Sequence, residues 1–247
     1  MEITKNSIYK LGRHYLMYGD SGGPKTYEML TKVSNLTPTL TLTDPPYGYK
    51  IQHNNGAVGC SGGSNSGFIH KYTRPNTKIY NQMLGNQDTT TAEEVISLYK
   101  NYTKHLICFG ANMFTKVLNK SRGWAVWNKH MNGDFGQGEL IYTSYKKPIH
   151  IFDYTWNGAI RQGSKKIELA KRIHPTQKPV GLLKEIIEYY APNEDVIIDP
   201  FCGSGSTLIA CELLNKTCLT IELDVDYIDA VIKRYKDLTN NTVECIN

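Results

Sequence analysis

The feature that most constrains this chain is an alternation of two periods along its length. Apolar runs of strand length stand at residues 14–18, 39–43, 105–109, 124–127, 196–198 and 218–221. Helical patterns lie between many of them, at 25–33, 92–104, 180–190, 207–214 and 227–238. A strand followed by a helix tends to return parallel to itself, because the helix spans the crossover and packs on the sheet. The expectation is an α/β fold with a doubly wound, mostly parallel sheet covered on both faces. A length of 247 residues, 40% of them hydrophobic, suits a single domain over residues 1–247 with a sizeable core. No internal repeat is present.

Two regions break the rhythm. Residues 51–90 are rich in Gly, Ser and Asn and read as a long mobile loop, a length that in a compact domain usually serves function. Residues 129–172 hold β-like pieces at 139–144 and 149–154 and then turn polar, and they read as an insert for target recognition. Within 161–178 stand Arg161, Lys165, Lys166, Lys171, Arg172 and Lys178 against the single acid Glu168. That concentration favours phosphate contact over a merely solvated loop.

Bulk composition narrows the class further. The formal charge of +5 permits a polyanionic partner without demanding one. The 17 Tyr against 6 Phe suit half-exposed surfaces that stack on flat ligands, although compositional drift explains them equally well. The six cysteines show no C-x-x-C spacing and no His at ligand spacing, so no metal site is expected. They also suggest no disulfide framework, which points to a reducing cytoplasm. No stretch approaches eighteen apolar residues and no secretory leader is evident, so no membrane partner is expected.

Two motifs carry chemistry. Asp199-Pro-Phe201-Cys202-Gly203-Ser-Gly205 follows an apolar run and opens a helical pattern. Its glycines permit a tight turn and close approach of a ligand, and the helix behind it presents free N–H groups. Glu222 ends the next strand, where a carboxylate meets the hydroxyls of a ribose. The third glycine of a dinucleotide fingerprint is replaced by Leu208, which argues against NAD or FAD. Asp44-Pro45-Pro46-Tyr47 follows the run at 39–43. Two prolines cannot continue a ladder, so they fix a rigid turn at the strand's carboxyl end and display an acid and an aromatic there.

Together with His174-Pro-Thr-Gln-Lys178-Pro, these motifs closely resemble the amino-methyltransferases of DNA. Their order resembles the circularly permuted β class, and Trp124-Ala-Val-Trp-Asn-Lys129 is similar to small members carried by phages and mobile elements. The resemblance spans nearly the whole chain. It implies a Rossmann-like, class I methyltransferase fold that uses S-adenosyl-L-methionine. Asp199, Phe201, Cys202, Gly203 and Gly205 would line the methionine part of the cofactor, Glu222 its ribose, and Asp20 would lie nearby. Lys178 would touch the cofactor or a phosphate.

The implied target is the exocyclic amine of a flipped-out base in double-stranded DNA. Such an amine is a poor nucleophile because its lone pair is delocalised into the ring. Asp44 and the Pro45 carbonyl would accept its two N–H groups and free that lone pair, while Tyr47 would stack on the base. Asp at position 44 is commoner in the adenine-N6 enzymes of this family, so adenine is expected ahead of cytosine-N4. An RNA or protein-amide methyltransferase and a non-catalytic nucleic-acid binder are the rival readings. The resemblance leaves a homodimer and a restriction endonuclease partner open.

Overall fold

The computed structural model describes residues 3–48, 53–54, 57–58, 89–131, 136–157, 160–168 and 177–246. The chain begins with β1 (Ile8–Leu11), β2 (His14–Tyr18), α1 (Pro24–Ser34) and β3 (Leu40–Thr43). Two-residue strands β4 (His53–Asn54) and β5 (Ala57–Val58) pair with each other. Then come α2 (Thr90–Tyr102), β6 (His105–Phe109), a single 3-10 turn (Ala111–Met113), β7 (Gly123–Asn128), β8 (Gly138–Thr143) and β9 (His150–Asp153). A second small pair, β10 (Trp156–Asn157) and β11 (Ile160–Arg161), precedes α3 (Lys165–Glu168). The final third is α4 (Val180–Tyr190), β12 (Val196–Asp199), α5 (Ser206–Leu213), β13 (Thr217–Glu222), α6 (Val225–Thr239) and β14 (Val243–Cys245).

Ten strands form one sheet in the order β14-β1-β2-β13-β12-β3-β6-β8-β7-β9. The five central strands β2, β13, β12, β3 and β6 are parallel. Antiparallel pairings flank them, β1 with β14 and β2 on one side and β8 with β6 and β7 on the other. Successive side chains leave a strand on opposite faces, and both faces here are apolar. Ile197 therefore packs in the core shared with Leu183 and Ile187 of α4, Ile209 of α5 and Val231 of α6. Its neighbour Ile198 packs on the other face with Leu30 of α1 and Val95 and Tyr99 of α2. The doubly wound sheet expected from the alternation is thus present.

Local chemistry sets the helix ends. Pro24 opens α1, where a missing N–H costs nothing, and Asn35 closes it in the left-handed region. The Asp224 side chain caps α6 by accepting from the Asp226 amide at 2.9 Å, and Asn240 closes it. Buried Ile228, Val231, Ile232 and Tyr235 recur at helical spacing along α6.

The structure adds two features to that pattern. The edge strand β14 and its neighbour β1 are only three and four residues long. Residues 138–153, expected as part of a recognition insert, supply β8 and β9 to the main sheet. The expected loop at 51–90 lies outside the described residues, apart from β4, β5 and the start of α2. Among the described residues no helix is long and apolar enough to cross a membrane.

Candidate active site

In an open α/β sheet the carboxyl ends of two neighbouring strands whose chains depart in opposite directions leave a crevice, and ligands bind there. Here those strands are β12 and β3. After β12 the chain moves to β13 on one side, and after β3 it moves to β6 on the other. Asp199 ends β12, and Asp44 directly follows β3. The Thr43 hydroxyl bridges the two by donating to Asp199 Oδ1 at 3.2 Å.

The glycine turn is built from backbone bonds. Asp199 is buried, and its Oδ1 also accepts from the Phe201 amide at 3.1 Å. Burial pushes its carboxyl up to about 7, against the opposing hydrogen bonds from Thr207, Phe201 and Thr43. Cys202 is buried, which raises its thiol well above the ordinary range and makes it a packing group. Gly203 and Gly205 both have positive φ, 51° and 75°. A Cβ on Gly205 would meet Val231 Cγ1 of α6 at 2.9 Å. Gly205 is therefore required by conformation and by helix packing. Arg234 of α6 holds the turn from behind, donating to the Ser204 carbonyl at 2.8 Å and to Ser206 Oγ at 3.3 Å.

Glu222 sits beside this turn at the end of β13. Its Oε2 accepts from the Gly203 amide at 2.7 Å, and its Oε1 accepts from the Leu223 and Asp224 amides, each at 2.9 Å. Burial raises its carboxyl to about 7 despite those three bonds. Tyr18 of β2 pairs with Glu222, and the Gly19 amide donates to the Glu222 carbonyl, so the next residue, exposed Asp20, lies at the same edge. Asp20 Oδ1 accepts from the Gly22 amide at 2.9 Å. Asp20, Asp199, Phe201, Gly203 and Glu222, far apart in sequence, thus share one edge of the sheet.

The other half of the crevice holds a compact charge cluster. Asp44 Oδ1 lies 2.7 Å from Lys178 Nζ and 2.5 Å from the Tyr47 hydroxyl. The same hydroxyl lies 2.6 Å from Glu139 Oε1 on β8, and Lys178 Nζ reaches that oxygen at 3.1 Å. Glu139 Oε2 is held in turn by Lys129, just past β7, at 2.9 Å. A hydroxyl carries one proton, so it donates to only one of the two carboxyls at a time. The carboxyls are not equivalent. Burial drives Asp44 up, and one ammonium does not fully offset it. Burial pushes Glu139 up as well, but Lys178 and Lys129 together hold it down at about 2. Burial alone would lower Lys178, yet its two carboxylate partners keep its ammonium above the ordinary range.

Several expected residues therefore stand elsewhere than their anticipated partners. Lys178 is buried, and its ammonium is taken by Asp44 and Glu139. Tyr47 is folded inward against Phe114 and Gly110, with its hydroxyl in the cluster. Arg161 lies over the Trp156 ring at 4.9 Å. Lys165 and Lys166 fall in α3, while Lys171, Arg172 and residues 174–176 lie outside the described residues. Glu168, the one acid in that basic stretch, is buried and accepts from the Val180 and Gly181 amides at 3.1 and 2.7 Å. It caps α4 and so fixes the approach to Lys178. Sequence reasoning missed Glu139 and Lys129; the only signal was a lone acid and a lone lysine beside apolar strands.

The fold is that of a class I methyltransferase. A model of the N6/N4 DNA methylase family matches residues 76–233, more than half of the chain, and the chain belongs to that family. Among curated proteins, the type II methyltransferase M2.MboI of Moraxella bovis is 44% identical over 66 residues, 27% of this chain and 24% of that protein. M.HinfI of Haemophilus influenzae is 34% identical over 88 residues, 35% of this chain and 24% of that protein. The alignments thus span about a quarter of these relatives' own length. Among solved structures, M1.HpyAVI in complex with S-adenosylmethionine matches with a TM-score of 0.51 at 20% identity, covering 90% of this chain and 98% of that one. The cytosine-N4-specific PvuII DNA methyltransferase matches with a TM-score of 0.53 at 13% identity, covering 98% and 92%. These likenesses show the fold.

Proposed function

We propose that this chain transfers a methyl group from S-adenosyl-L-methionine to the exocyclic amine of a base flipped out of double-stranded DNA, with adenine N6 as the target. The observation that carries this reading is the pairing of Asp44 with the glycine turn across adjacent strand ends, joined by the Thr43 to Asp199 hydrogen bond. One half is suited to a nucleoside cofactor and the other to an amine.

The residues present fit the cofactor. Gly203 and Glu222 form one hydrogen-bonded unit at the strand edge, and the Glu222 carboxylate has an acceptor position beyond the three amides it already holds. That position suits a ribose hydroxyl, and Asp20 and Phe201 stand on the same edge. The cofactor would supply an electrophilic methyl on a sulfonium. Two structures similar in fold, M1.HpyAVI and the putative DNA modification methylase TTHA0409 of Thermus thermophilus, are described as complexes with S-adenosylmethionine.

On the substrate side, Asp44 and the Pro45 carbonyl accept the two amine N–H groups. This frees the nitrogen lone pair and favours the positive charge that develops on it. Transfer further requires the reacting atoms to be held about 3–3.5 Å apart. Flipping the base costs a few kcal/mol, which binding must offset. Arg161, Lys165, Lys166, Lys171 and Arg172 would grip phosphates and position the duplex without reading its sequence.

Adenine and cytosine amines make the same demands on Asp44, and one of the structures with this fold is cytosine-N4-specific. The adenine assignment rests on Asp at position 44, in the family pattern this chain resembles. Labelled cofactor offered in parallel to duplex DNA, RNA and protein tests the substrate class. Transfer to duplex DNA alone is expected, and transfer to RNA or protein instead would replace this reading.

A further inference from the structure

Among the described residues, the Tyr47 hydroxyl and the Lys178 ammonium both meet the Asp44 carboxylate on Oδ1. Oδ1 faces the Lys178 ammonium and the one proton that Tyr47 shares, so Oδ2 is the oxygen left for an incoming N–H. Both groups also reach a second acceptor, Glu139 Oε1, at 2.6 and 3.1 Å. Glu139 stands near the start of β8, which runs antiparallel to β6 and so begins at the carboxyl end of that strand, and β8 lies on the side of β3 away from β12 and its glycine turn. Its own second oxygen is anchored by Lys129. Glu139 lies in β8, Lys129 directly follows β7, Asp44 and Tyr47 lie in the turn after β3, and Lys178 stands two residues before α4, so the clamp is drawn together from four separate segments.

We propose that Glu139 is a positioning residue for methyl transfer: it holds Lys178 and Tyr47 so that they grip Asp44 by Oδ1 and present Oδ2 to the base amine. This rests on Asp44 being the amine acceptor. Glu139 itself touches neither the amine nor the cofactor. Without it, Lys178 and the Tyr47 hydroxyl lose the acceptor that fixes their direction, and Asp44 is free to rotate. A misplacement of the acceptor by a fraction of an ångström weakens the bond that forms only as the amine is activated. The loss therefore falls on turnover, and cofactor binding at the far half of the crevice is spared.

The test compares Glu139→Ala with Glu139→Gln in the full chain, on duplex DNA. Glu139→Ala is expected to lower kcat at least about tenfold with the KM for cofactor within about twofold. Glu139→Gln keeps an acceptor for both donors and is expected to recover to within about threefold of wild type at neutral pH. The glutamine also removes a negative charge facing Asp44, whose other titrating or charged neighbours are Lys178, Tyr47, Cys108 and Asp199. The acid limb of kcat should therefore move to lower pH in that variant. If the alanine variant stays within about threefold of wild type, or if glutamine is as slow as alanine with an unmoved acid limb, the positioning role is wrong. Failure of wild type to methylate duplex DNA, or full activity in Asp44→Ala, would instead overturn the functional reading on which it rests.

Discussion

Two half-buried acids and one buried ammonium meet on a single tyrosine hydroxyl, and the chemistry of the crevice follows from how that charge is shared. Lys178 is the pivot, since its ammonium reaches both Asp44 and Glu139. Replacing it by Met would leave two desolvated carboxylates without their shared partner. The expected cost is about 3–5 kcal/mol, the scale of breaking a buried ion pair, read as a lower denaturant midpoint. Lys178 also opposes the upward push of burial on Asp44. Its loss should raise the acid limb of kcat, opposite in sign to Glu139→Gln. Glu222 gives a second pH signature. Its free carboxyl stands near 7, and a ribose hydroxyl bonds best to the ionised form. Binding should then release a proton below about pH 7. Cofactor affinity should rise with pH up to that point and level off above it, whereas Glu222→Gln should bind weakly and without this slope. Calorimetry in two buffers of different ionisation enthalpy reads both.

At the level of elements, the motifs that were legible in sequence are those whose chemistry is local. A glycine turn between a strand and a helix, and an Asp-Pro-Pro-Tyr turn after a strand, each carry their geometry in a few consecutive residues. The β8 contribution was illegible for the opposite reason. Glu139 reaches the cluster only because β8 pairs with β6 through Ile107 and Thr143 and with β7 through Trp127 and Glu139. No local pattern announces a pairing of that separation. Lys178 was found by its motif, but its partners were not, because burial of a lysine depends on which acids arrive from elsewhere. The physical reason for one glycine also changes. Gly205 was expected to make room for the cofactor, yet the space its Cβ would need belongs to Val231. Gly205→Val should therefore destabilise the α5 and α6 packing by about 1–3 kcal/mol, from overpacking and a left-handed backbone together. A lower melting temperature in the absence of cofactor is the expected result, and an unchanged one would restore the original explanation.

Over the whole molecule, the parallel centre of the sheet places two half-sites side by side. One is a glycine turn with Glu222, and the other is the Asp44 cluster closed by β8. The alternation of strands and helices made that centre readable, while the antiparallel flank that completes the site emerges only in the folded chain. The central claim is that these halves act together to methylate a DNA base on its exocyclic amine through Asp44. The direct measurement is mass spectrometry of nucleosides from duplex DNA incubated with S-adenosyl-L-methionine and either wild type or Asp44→Ala. Wild type is expected to yield N6-methyladenine, and Asp44→Ala to yield it at least about a hundredfold more slowly. N4-methylcytosine as the sole product would contradict the base assignment. No methylated base from wild type, or an undiminished rate in Asp44→Ala, would contradict the claim itself.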